Sequence, residues 1–140
     1  MLSIKQAGNI INGVFMAAKD NDNSLLIKTV EGIENTISNP FFRALNSYGE
    51  MDYRSVTMVL KLSAELLNKT YGKIPLEDED AEASEKCWND LMTECNNIVE
   101  VIERECGPLA REYGKRVMVA IVGLLESEYI ERRKQHNDEQ

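Results

Sequence analysis

Histidine occurs once in these 140 residues, at His136, cysteine three times and tryptophan once, and the longest apolar stretch runs only from Val117 to Leu125. Each shortage excludes something. A helix that crosses a bilayer needs about 20 apolar residues in a row, so no membrane span is expected. Cys87, Cys95 and Cys106 show no CxxC spacing and the sole imidazole lies far from them in sequence, which argues against a zinc site. A serine or cysteine nucleophile activated by histidine would depend on that same terminal residue, and no nucleophile-elbow motif is present. No stretch alternates apolar and polar residues long enough to specify a β-strand.

What remains is an acidic, ordinary globular composition. Hydrophobic residues make up 43% and charged residues 29%, enough of each for one packed domain without a metal or disulfide. Sixteen basic against twenty-four acidic side chains leave a formal charge of -8, which repels polyanions and points away from direct nucleic-acid or anionic-membrane binding. A basic protein surface is the partner such a charge favours. The opening residues lack a basic segment followed by an apolar run, and with an odd cysteine count they place the chain in a reducing cytoplasm.

Apolar spacing along the chain is helical throughout. Ile4, Ala7, Ile11, Val14, Phe15 and Ala18 form one face of a first helix, with Asn12-Gly13 as its weak point. A polar turn at Asp20 to Ser24 starts a second helix carrying Leu26, Val30, Ile33 and Ile37. Pro40 then begins a short segment with Phe41, Phe42, Leu45 and Tyr48. Asp52 is placed to cap a long helix with Val56, Val59, Leu60, Leu66, Leu67 and Tyr71 inward, and Gly72 to end it. The like charges from Glu77 to Glu82 favour an extended, solvated connection. Beyond it, Trp88, Leu91, Met92, Cys95, Ile98, Val99, Ile102 and Cys106 make the most regular stripe in the chain. Gly107-Pro108 separates that helix from the last, expected from Pro108 to about Arg133. The expected fold is all-α: an antiparallel bundle of about five helices over residues 1–135, with oligomerisation as one way of completing it and a frayed polar tail at 136–140.

The last helix carries two apolar stripes. Ala110, Gly114, Val117, Ile121 and Leu124 suit a core face. Met118, Val122, Leu125 and Tyr129 recur at spacings of 4, 3 and 4, turned by about 90°. Together they span about 200°, against about 100° for an ordinary surface helix, so the helix is either central to the bundle or in contact with another chain, and on the second alternative the second stripe is the expected interface.

Three weaker constellations complete the reading. Asp20, Asp22, Ser24 and Glu31 match calcium-loop positions, but Leu25 replaces the turn glycine and Lys28 stands where a ligand belongs, so a capped polar turn is expected and no metal. The ExxE pairs Glu31/Glu34 and Glu100/Glu103 are what a magnesium-dependent nucleotide hydrolase built on helices would use, yet in so acidic a chain solvated surface explains them. Glu77, Asp78, Glu79, Asp80, Glu82 and Glu85 form an acidic surface suited to imitating phosphate rows. With no catalytic residue and no cofactor assigned, the reading leans away from an enzyme. It favours a helical protein–protein interaction or regulatory module that pairs with itself. The second choice is an acidic inhibitor of a basic nucleic-acid-binding target, of the kind phages and mobile elements use against defence systems.

Overall fold

The computed structural model describes Gln6, Asn9, Ile10, Gly13 and residues 40–138. The first four are helical and Ile10 lies half-buried against the core. The rest of the expected first helix, the turn at Asp20 to Ser24, the helix through Ile37 and the Glu31/Glu34 pair lie outside the described residues. Among those that are described there are four further helices and no strand: α1 (Pro40–Leu45), α2 (Tyr53–Thr70), α3 (Ala81–Cys106) and α4 (Pro108–Asp138).

Local chemistry explains most of these limits. Pro40 occupies the first position of α1, where its missing N–H costs nothing, and Phe41, Phe42 and Leu45 are buried at once. The Asp52 carboxylate accepts from the Ser55 amide at 3.1 Å and from the Ser55 hydroxyl at 2.8 Å, which starts α2. Val56, Val59, Leu60, Leu66 and Leu67 all point inward from it. Gly72, at φ 72°, makes the left-handed turn that stops α2, and Gly107, at φ 93°, separates α3 from Pro108 at the head of α4.

Two segments depart from expectation. The acidic run is not an extended connection: Glu77 to Glu79 form a turn, and α3 already begins at Ala81. Asp80 caps it by accepting from the Ala83 amide at 3.0 Å, and Glu82 sits in the first turn, where the helix dipole welcomes negative charge. Capping and dipole therefore outweigh like-charge repulsion. At the other end α4 continues through His136 to Asp138, beyond Arg133, with Arg133 within 3.9 Å of Glu77 and His136 within 3.9 Å of Glu79. The acidic turn thus offsets the positive end of the chain.

α4 packs against α1, α2 and α3 and is the common wall of the core. The Tyr113 hydroxyl donates to the Leu45 carbonyl at 2.5 Å, fixing the end of α1 to it, while Arg116 donates to the Ser47 carbonyl at 2.9 Å. No described helix is long and apolar enough to cross a membrane.

The two bonds from Ser55 hold the Asp52 carboxyl below its ordinary pKa. Such a group adds stability above the unfolded-chain pKa of about 4 and loses it as pH falls through the lower folded value. Asp52→Ala should therefore lower the melting temperature at pH 7, with the deficit shrinking towards about pH 2, as followed by circular dichroism.

Candidate functional site

The last helix carries the expected contact stripe, and the structure buries most of that stripe. Met118, Leu125 and Tyr129 are 4%, 1% and 7% exposed, all within the chain's own core, and Val122 alone of the expected interface stripe is half-open. Both apolar stripes close into one buried arc, from Tyr113 through Val117 and Ile121 to Tyr129, with Val122 and Leu124 at its margins. The reason is that α4 is covered by three helices, not by one neighbouring layer. The expected interface is corrected accordingly: three of its four residues are core.

The arc leaves Leu109, Val119 and Ile130 uncovered, and of these Val119 is the most exposed, at 74% in the middle of a helix of 31 residues. It borders a groove of about 530 Å³ between α3 and α4, to which Met92, Asn96 and Val99 contribute from one side and Met118, Val122 and Gly123 from the other. Met92 is 42% exposed and lies at the rim. Lys115 and Glu126 mark the two ends of the α4 side. Gly123 gives this wall a bare stretch of backbone, since a Cβ built there meets nothing within 4 Å. Sequence reading missed Val119 because it belongs to neither stripe. The signal that finds it is the 4, 3, 4 spacing of Lys115, Val119, Val122 and Glu126, one seam of a helix–helix contact with charged ends.

Around Glu126 a second, more polar hollow of about 500 Å³ opens between the start of α3 and the end of α4. Trp88 and Tyr129 meet edge to face there, with ring centroids 5.5 Å apart. The Tyr129 hydroxyl accepts from the Glu77 amide at 2.8 Å and bonds the Ser84 hydroxyl at 3.3 Å. One turn on, Arg132 pairs with the buried Glu128, donates to the Ile74 carbonyl at 2.8 Å and lies over the Tyr129 ring. The connection between α2 and α3 is thereby fastened to α4. Burial beside it pushes the Tyr71 hydroxyl up to about 12, with Glu128 adding to the rise and Arg132 opposing it. The six expected acidic residues, Glu77, Asp78, Glu79, Asp80, Glu82 and Glu85, are all exposed, and Asp80 has its carboxylate engaged as the α3 cap.

The remaining candidates have structural employment. Arg111 bridges both carboxylates of the Glu100/Glu103 pair, at 3.0 and 2.5 Å, which holds a cation of the protein's own where a magnesium ion was considered. Cys95 lies under the groove, and burial raises its thiol to about 11, with Glu94 adding to the rise, so it is a neutral thiol at physiological pH and a poor nucleophile. Cys106 donates to the Met58 sulfur at 3.4 Å, and all three cysteines are free. Among the described residues no three histidine, cysteine or carboxylate side chains cluster as metal ligands. No family model, curated protein or solved structure matches this chain.

Tyr129→Phe keeps the ring contact with Trp88 but removes the acceptor for the Glu77 amide and the partner of the buried Ser84. It should cost about 1–2 kcal/mol in urea unfolding. Amide exchange at Glu77 should quicken while that of α1 stays unchanged.

Proposed function

We propose that this protein is a non-enzymatic helical interaction module that works by receiving a protein partner in the groove between α3 and α4. Val119 carries the reading. A valine exposed to 74% in the middle of a long helix, with half-open Val122 beside it and Met92 across the groove, leaves apolar surface that a partner side chain would cover. The composition of the groove supports a protein occupant: methionine and valine line it, with a charge of opposite sign at each end. The expected antiparallel bundle of about five helices, completed by the residues before Pro40 or by association, belongs to the same proposal. So does action in the cytoplasm, which three free cysteines favour.

A photoreactive amino acid placed at Val119 tests this in the native cell. The expected result is a discrete protein adduct from position 119 and none from Glu105, which is exposed on α3 outside the groove. Absence of any adduct from Val119 would remove the reading.

A second reading, an acidic inhibitor docking on a basic nucleic-acid-binding protein, draws on the exposed carboxylates of Glu77, Asp78, Glu79, Glu82 and Glu85, gathered on a turn and helix start that Tyr129 holds in place. It predicts an affinity that falls steeply with salt and drops at least about tenfold when these five are changed to glutamine or asparagine, measured by calorimetry against the captured target. Unchanged affinity would exclude that surface.

A further inference from the structure

The groove's two ends identify the partner that suits it. Resting on the interaction reading above, we infer that the occupant is a second copy of this chain, its α4 laid antiparallel on the first across a twofold axis beside the peptide bond between Ala120 and Ile121.

Counting outward from that bond, Val119 and Val122 are each second, Met118 and Gly123 each third, and Lys115 and Glu126 each sixth. An isologous contact pairs residue i of one copy with residue j of the other and j with i. The same axis therefore sets Val119 against the partner's Val122 and Lys115 opposite the partner's Glu126, each pair occurring twice. Lys115, Val119, Val122 and Glu126 fall within about 60° on the helix, so all four meet a neighbour together. The charged pairs lie about 8 Å from the axis along α4, at the ends of the apolar strip. A parallel arrangement would place Lys115 on Lys115 and Glu126 on Glu126. Charge therefore selects the antiparallel one.

Two details of the groove agree. Gly123 is exposed in mid-helix, where glycine is unfavourable, and the open space above it lets a facing helix come close. Among the described residues Lys115 has a long ion pair with Glu112, at 3.9 Å and both exposed, which holds its ammonium group only weakly. The charge of -8 on each copy opposes association at long range. Physiological salt screens that repulsion beyond about 8 Å, whereas the facing Lys115 and Glu126 groups act inside that distance.

Sedimentation velocity across the micromolar range tests the assignment. The wild-type chain should self-associate. Lys115→Glu and Glu126→Lys should each weaken the dimer about tenfold or more, and the double variant, which restores opposite charges across the axis, should recover to within about threefold of wild type. Gly123→Arg should abolish dimerisation while leaving the helical circular dichroism intact, because the side chain enters open space in the isolated chain. A chain that stays monomeric while position 119 cross-links to a different protein would overturn the second copy as occupant and leave the interaction module standing. A dimer indifferent to both charge reversals would overturn the antiparallel register.

Discussion

Two tyrosine hydroxyls on one helix hold this structure in register. Tyr113 donates to the last residue of α1, and Tyr129, sixteen residues on, takes the amide of Glu77 at the start of the acidic turn. Both rings are buried, so each hydroxyl brings a polar tip into the core, where an unmet hydrogen bond is expensive. α1 and the connection between α2 and α3 are therefore positioned by bonds to α4 as well as by packing. Arg116 and Arg132 repeat the device beside each tyrosine: each lies over the ring and donates to a backbone carbonyl of the docked segment.

Fastening the connections to α4 decides what the acidic residues do. Between Glu77 and Glu85 the carboxylates would repel in an extended chain, yet here the backbone is held at Glu77 and Asp80 caps the helix that follows. Arg111 reaches from α4 to Glu100 and Glu103, and Lys69 on α2 to Glu94 at 2.7 Å. These are surface pairs of small individual worth, and their consequence is mainly one of availability. Carboxylates that could have gathered a metal are distributed one helix at a time against cations of the same chain.

Much of this was legible in the residues because it is local. Asp52 followed by Ser55, Pro40 before two phenylalanines, and Gly107 before Pro108 act within one turn of themselves, and periodicity alone located the stripe from Leu91 to Ile102. The start of α3 was hidden because charge counting weighs repulsion between side chains and omits a cap that lowers the energy of the helical alternative. For Met118, Leu125 and Tyr129 the residues left core and interface both open, for another reason. A helical wheel assigns each residue an angle but not the number of neighbours around the helix, and three neighbours cover an arc that one layer would leave open. The width of the apolar surface was real, and its outer margin lay one residue further around than its pattern suggested.

That margin connects the fold to the function proposed. Because the arc from Tyr113 to Tyr129 is spent on the core, Val119 and Val122 are left over beside α3, while Leu109 and Ile130 stay exposed nearer the two ends of α4, and the members of the strip are fixed by the same angular arithmetic. Lys115, Val119, Val122 and Glu126 follow the core positions at a constant offset, so no rotation of α4 would bury Val119 without lifting Tyr129 or Met118 out. The helix is held against such a rotation at both ends, by Tyr113 on α1 and by Tyr129 on the acidic turn. An apolar strip that the described helices leave open, on a rigid support and with opposite charges at its two ends, is what the proposed contact requires.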